Sequence, residues 1–321
     1  MVNIAMCFDD AAPQAGDNIA ALGRLLDTGD QLVWHGAADA AAEAYRFLTE
    51  RWQPGDHIHV FGSGAGAVSA LGLTRLLDTL GIAGGPLHDG ALHDVVLDYA
   101  LAHWALPTSV RTPTDWHRLH SLGWRLRGTR PSVPVHYLGL WDGVESSAAQ
   151  RNSRFTGFDN VICGRHAVAI DERRAALEVH SPRVEEVWFC GTHAAVVGAR
   201  GTDPSRTLAA RDWVLAGAWA VGLAHRGDAT PPPAAPRGAL DRRTPAMGLL
   251  AGVRLPIRRR RMPDGALVHR SVEPHLRTDD RYWKRLPHCF TWVDPERPPE
   301  RLPDVGTTLE NTATVEALRA S

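Results

Sequence analysis

The segment HIHVFGSGAGAVSALGL, residues 57–73, carries the clearest chemical pattern in the chain. It reads as a strand, a sharp glycine turn and a helix, the layout of a nucleophile elbow. There a strained turn lifts a serine hydroxyl clear of a sheet, and the next backbone N–H donates to the developing oxyanion. Gly62, Gly64 and Gly66 fall at alternate positions. The outer two match the small residues that let strand and helix approach closely. The apex, where the serine is expected, is Gly64, and the following N–H, the oxyanion donor, belongs to Ala65. The turn keeps its geometry and lacks its reagent.

Other residues compete for the chemistry. Ser63 adjoins the apex, but in a formed elbow its side chain points away from the pocket, so a buried or solvated serine is expected. Cys190 lies three residues before His193, and a thiolate paired with histidine is a nucleophile. On an extended segment the two side chains diverge, however, and a small core residue is the expectation. Sixteen histidines invite a metal; the closest pairs are His57 with His59, His88 with His93, and His117 with His120. None has a neighbouring cysteine or carboxylate at ligand spacing, so neither a metal nor a cofactor is expected. The run Arg258 to Arg261 could meet phosphate of lipid or nucleic acid, but in a chain of net charge −1 it reads as a solvated surface strand or a salt-bridged loop.

The elements that must position these groups follow from the apolar pattern. Candidate strands are Val2 to Phe8, Gln31 to Trp34, His57 to Gly62, Val135 to Trp141 and Glu186 to Cys190; several are near-continuous apolar runs, as strands covered on both faces are. Helical spacing occupies Asn18 to Leu26, Ala38 to Trp52, Ala65 to Leu80, Asp89 to Trp104 and Thr207 to His225, with Asp17, Asp89 and Asp115 as caps. The alternation predicts an α/β architecture, a mostly parallel central sheet with helices on both faces. Trp104, Trp116 and Trp124 fall in a helical insertion before the Val135 strand, where a lid over an acyl-binding cleft would lie.

The chain has 321 residues, enough for one large α/β domain or two modest ones. Residues 1–229 read as the core. The stretch TPPPAAPRGA, residues 230–239, is a proline-rich connection that cannot be regular helix, and the basic and aromatic remainder to residue 321 is expected to pack on the same core. A near-neutral chain has no general field for nucleic acid or an anionic membrane. Lys284 is the sole lysine, a texture expected of a GC-rich bacterial gene. Cys7, Cys163, Cys190 and Cys289 are scattered, as buried thiols of a reducing compartment are, which predicts a cytoplasmic protein. The start MVNIAMCFDD lacks the regions of a secretory signal, leaving signal-less export open. The longest apolar run, Val214 to Ala224, is too short to span a bilayer and reads as a buried helix.

Seven segments occur in an order that resembles one family. They are CFDD with DNIAAL (7–10, 17–22); AYRFLTE followed by PGDHIHVFG; the elbow; HYLGLWDGV (136–144); GRHAVAIDERR (164–174); EVWFCGTHAAVVG (186–198); and MPDGALVHRSV (262–272). The chain resembles the α/β-hydrolase domain of type VI secretion phospholipase effectors, over roughly residues 4 to 288. The resemblance implies an acid at Asp142, a base at His193 and a nucleophile at the position of Gly64, in hydrolase chain order. Further departures surround the same pocket. Ala65 replaces an arginine, Ala195 an aspartate, and Val197 to Ala199 a glycine run, while the family's aspartate-glycine-threonine-tryptophan start is reduced to Asp9, Asp10, Ala11 and Ala12. The Asp171 to Arg174 charges are expected to lock the histidine-bearing loop.

Loss of a serine nucleophile lowers kcat on the order of 10⁶-fold. The expectation is therefore a hydrolase-fold protein without serine-type turnover, acting as a binding or regulatory pseudo-hydrolase. A lipid or acyl ester is the implied ligand and a secretion-system protein the implied partner. Two alternatives stay open: an esterase or phospholipase with a non-standard nucleophile, and a structural, partner-binding component.

Overall fold

A computed structural model describes residues 1–10, 17–82, 132–144, 155–156, 158–226 and 260–294. Strands β1 (Asn3–Phe8), β2 (Gln31–Gly36), β3 (His57–Ser63), β4 (Val135–Trp141), β5 (Gly164–Ala169), β6 (Val184–Phe189), β7 (Ala266–His269) and β8 (Phe290–Val293) form one sheet, in the order β2-β1-β3-β4-β5-β6-β7-β8. Every pairing is parallel. The α/β fold class expected from the sequence is the one observed.

The strands are apolar on both faces because helices cover both, and the period of two divides their side chains between two cores. Ile4, Met6 and Phe8 pack with Tyr45 and Leu48 of α2 (Ala41–Arg51) and with Leu71 of α3 (Gly66–Thr79). Ala5 and Cys7 face the other way, with Leu22 of α1 (Asn18–Leu25) and Trp213 of α5 (Pro204–Ala220). Helix α3 is buried almost all round, from Gly66 to Leu77 and at Thr79, which explains why its sequence is apolar on every face. Asp17 caps α1, its side chain accepting from Ala20 N at 2.7 Å.

Some boundaries differ from the sequence reading. Helix α5 starts at Pro204, three residues before the expected Thr207, because Asp203 and Pro204 make a cap and a first helical residue. It stops at Ala220, and Gly222 at φ 95° turns the chain. The apolar run to Ala224 is thus helix only in its first part. Strands β5, β7 and β8 were not expected; the last two come from residues 260–294, which extend the same sheet. A short helix α4 (His193–Val197) follows β6, and α6 (Glu273–Thr278) lies between β7 and β8. The expected helix from Asp89, the cap Asp115, Trp104, Trp116, Trp124, the pairs His88/His93 and His117/His120, the proline-rich connection, and Arg258 and Arg259 lie outside the described residues.

The chain runs from β1 outward to β2, then returns past β1 to β3 and continues on the far side. The direction of winding therefore reverses between β1 and β3. Carboxyl ends of strands at such a reversal open into a crevice, the usual ligand position in open α/β sheets. Asp9 and Asp10 follow β1 there, and Gly64 follows β3.

Candidate active site

The elbow forms as its glycines require. A Cβ on Gly62 would lie 2.6 Å from Ala67 Cα, and one on Gly66 would run into the Phe8 and Asp9 carbonyl oxygens. Strand, helix and the end of β1 therefore meet backbone to backbone. Gly64 sits at φ 54°, in the left-handed region. Its N–H donates to Trp141 O at 2.9 Å and its carbonyl accepts from Val144 N at 3.3 Å, which ties the elbow to the end of β4.

Asp142 immediately follows β4, is fully buried, and has φ 40°, among the described residues the one non-glycine backbone in the positive region. Its environment holds this conformation. Asp142 N donates to Ala167 O at 2.7 Å, and its Oδ1 accepts from Ala169 N at 2.7 Å. The next residue, Gly143, donates its N–H to His166 Nε2 at 3.2 Å, so His166 carries its proton on Nδ1, facing Glu186 Oε2 at 3.2 Å. Arg260 grips the carboxylate from the other side, with one terminal nitrogen on Oδ1 and the other 3.2 Å from Oδ2.

His193 opens α4 rather than ending a strand. Strand β6 stops at Phe189, and Gly191, at φ 124°, makes the turn. Two carboxylates of the DERR segment hold that turn: Gly191 N donates to Asp171 Oδ2 at 3.1 Å, and His193 N to Glu172 Oε2 at 3.3 Å. Tyr282 OH donates to the same Asp171 oxygen at 3.1 Å, and Arg285 pairs with Asp171. The imidazole Nδ1 lies 2.7 Å from Asp142 Oδ2. Acid and histidine thus stand in the arrangement of a hydrolase relay.

The Nε2 side, where a serine hydroxyl would be, is filled by Asp10. Its Oδ2 lies 3.1 Å from His193 Nε2, and its Oδ1 accepts from the Ala65 N–H at 3.0 Å. A Cβ built on Gly64 would fall 2.5 Å from the Asp10 carboxyl carbon. One carboxylate therefore occupies both the space of the missing side chain and the oxyanion donor. Asp9, expected in the same pocket, turns aside: its Oδ2 is 2.9 Å from His35 Nε2, and its backbone N–H donates to Gly36 O.

The electrostatics follow from this geometry. Burial alone would raise the Asp142 pKa, but the His193 hydrogen bond and the Arg260 charge outweigh it and bring it to about 2. Burial would lower that of His193; the hydrogen bonds its ring donates to Asp10 and Asp142, with the Asp142 charge, raise it to about 9. Both ring nitrogens face a carboxylate oxygen, an arrangement that favours the imidazolium over the neutral ring a general base needs.

The rival nucleophiles are placed elsewhere. Ser63 is 1% exposed, and its hydroxyl has no hydrogen-bond partner among the described residues. Cys190 is buried, and burial pushes its thiol pKa up, away from thiolate. His57 stacks on His136 with ring centroids 3.9 Å apart, at the opposite end of β3 from the elbow, and His59 Nε2 meets Asn3 Oδ1 at 3.2 Å. Among the described residues no group of three or more His, Cys, Asp or Glu could hold a metal ion. No helix among them is long and apolar enough to cross a membrane. Of the two expectations for the arginine run, Arg260 fits the salt-bridged loop and not the solvated strand: it pairs with Asp142, and its side chain is 2% exposed. Nothing in the run marks Arg260 as one that turns inward.

An elbow, an acid and a histidine, in that chain order at the carboxyl ends of a parallel sheet, define an α/β-hydrolase-like domain. The chain belongs to the T6SS phospholipase effector Tle1-like family, whose catalytic-domain model matches residues 14–216. That span includes Gly64, Asp142 and His193, and leaves Asp10 and Arg260 outside it. The chain is also 26% identical, over 220 residues, to the uncharacterized protein YEL023C of Saccharomyces cerevisiae (strain ATCC 204508 / S288c); the match covers 54% of this chain and 31% of the yeast protein. Among solved structures, it is similar to an uncharacterized protein from Pseudomonas aeruginosa, with a TM-score of 0.42 and 11% identity, covering 70% of this chain and 46% of the other. It is also similar to the Tle1 effector bound to the VgrG spike of the type 6 secretion system, with a TM-score of 0.32 and 13% identity, covering 64% of this chain and 52% of that one. The chain spans about a third of the yeast protein and about half of each solved chain.

Proposed function

We propose that this protein is a pseudo-hydrolase of the phospholipase-effector family, with no serine-type acyl transfer and with its site given over to binding or regulation. The observation that carries this reading is the Asp10 carboxylate seated between His193 Nε2 and the Ala65 N–H, above a glycine apex. Acyl transfer needs an attacking oxygen, a neutral base to take its proton and an open donor for the oxyanion. Here the first is missing, the second is protonated and the third is occupied. Membership of the family supports a lipid or acyl ester as the ligand class and a component of a type VI secretion apparatus as the partner.

Fluorophosphonate labelling of the purified full chain, beside hydrolysis of short and long acyl esters, tests the proposal. The expected result is no covalent adduct and turnover indistinguishable from a His193→Gln control. An adduct on any residue, or ester cleavage at the rates of working lipases, overturns it. Native mass spectrometry showing a retained acyl ligand supports binding at the site.

A further inference from the structure

Two donors converge beside the elbow: the backbone N–H of Ala65 and the Nε2–H of the His193 imidazolium. One oxygen of the Asp10 carboxylate meets the first at 3.0 Å and the other meets the second at 3.1 Å. The pair is thus set for the two oxygens of a single carboxylate.

The framework that aims these donors does not depend on Asp10. Ala65 is fixed by the elbow, whose Gly64 is bonded to Trp141 and Val144. His193 is fixed through Nδ1 by Asp142 and through its backbone N–H by Glu172. Asp10, by contrast, lies two residues beyond β1 and has a side chain 28% exposed, against 11% for His193 and none for Asp142. It is the reachable member of the group.

Charge points the same way. Arg260 offsets Asp142, Arg174 pairs with Glu172, and Arg285 pairs with Asp171. The His193 imidazolium faces both Asp142, which it shares with Arg260, and Asp10, whose charge brings the named group to balance. Without Asp10 the cradle carries an uncompensated positive charge facing an open amide N–H, the setting that takes up an anion.

We infer that the Ala65 amide and the His193 ring form a carboxylate-binding site that the resting protein keeps closed with its own Asp10 side chain, so that a ligand carboxylate binds by displacing it. The glycine at position 64 fits this role, since any side chain there would collide with the occupant. The inference names the ligand class of the proposed binding site and rests on that reading.

The test is chemical rescue of full-length Asp10→Gly, with Asp10→Ala as a second small variant if glycine loosens the loop. His193 is followed by NMR, its resonance identified by its loss in His193→Gln. In the wild type it should titrate near pH 9; in the small variants it should fall by roughly one to two pH units, as loss of a neighbouring charge produces. Sodium acetate, against sodium chloride at equal ionic strength, should raise both that titration and the melting temperature of the small variants. The wild type should respond weakly, and Asp10→Asn, which fills the cradle without charge, should not respond at all. Absence of rescue overturns the site. So does an equal response in the wild type, which would mean Asp10 is no occupant. Inorganic phosphate acting as well as acetate overturns the carboxylate class. Fluorophosphonate reactivity of the wild type decides the pseudo-hydrolase reading separately.

Discussion

Gly64→Ser recreates the elbow's missing residue and should destabilise the protein. Two terms contribute. A residue with a side chain at φ 54° carries left-handed strain of about 1–2 kcal/mol. The new Cβ would also stand 2.5 Å from the Asp10 carboxyl carbon, so Asp10 must leave, breaking its bonds to Ala65 N and His193. Hydrogen bonds to a charged group contribute about 1.5–3 kcal/mol each, partly regained from water because Asp10 is 28% exposed. The sum is about 3–5 kcal/mol. At about 2–4 °C per kcal/mol for a large domain, the melting temperature should fall by roughly 6–20 °C. Asp10→Gly in the same chain removes bonds that Gly64→Ser has already broken, so the double variant should be about as stable as Gly64→Ser alone, well short of the summed single losses. Its departure from additivity measures the coupling between positions 10 and 64. Thermal and urea denaturation of the four proteins would give the cycle. A Gly64→Ser protein that melts at or above the wild type, or a double variant that loses the full sum of the two single losses, would refute the placement of Asp10.

Stability should also change with pH in two opposite limbs. The raised pKa of His193 stabilises the fold fully below about 6.5 and is lost as pH rises through about 9, a contribution of about 3 kcal/mol at 1.36 kcal/mol per pH unit. The groups that set it are Asp10 and Asp142, which raise it, and Arg174, which lowers it; His35, raised beside Asp9, adds to the same limb. Buried His59 and His269 and half-buried His136 are depressed, chiefly by desolvation, to about 3, 4 and 4, so the stability they contribute above 6.5 is lost as pH falls toward 4. Melting temperature against pH should therefore peak near 6.5, and His193→Gln should flatten the alkaline side alone; an unchanged alkaline limb contradicts the assignment. Arg260→Gln should leave the Asp142 charge buried without its cation. Breaking one side of a buried pair is worth about 3–5 kcal/mol, and Arg260→Lys should rescue little, because a point charge cannot span both oxygens. Denaturation checks this, and stability within 1 kcal/mol of wild type on the Asp142 side would contradict the clamp.

What the sequence made legible were local patterns. The strand, glycine turn and helix around residue 64 lie within one run, and five sheet strands announce themselves as apolar runs. Strand β5 was hidden because its interior holds Arg165 and His166, residues that argue against a central strand until their partners are known. Arg165 donates to Trp213 O at 2.6 Å and lies over the Trp213 ring, and His166 bridges Gly143 and Glu186. Strands β7 and β8 have four residues each, too few for a period to show.

The site divides along the same line. Asp142 and His193 follow apolar strands in motif order, whereas the two residues that decide their behaviour lie far off in the chain. Asp10 reaches Ala65 across 55 positions and His193 across 183, and Arg260 reaches Asp142 across 118. No spacing rule connects such pairs. This matters for how the glycine at position 64 is understood. Alone, a missing hydroxyl signifies loss, with the Nε2 side of the histidine left open to another nucleophile or a water. With Asp10 in the vacated space, the same glycine makes room for a carboxylate, the histidine is charged, and the oxyanion donor is occupied. Asp10, 54 positions before the apex, thus adds to Asp142 in favouring the protonated ring and bears on the chemistry open to it.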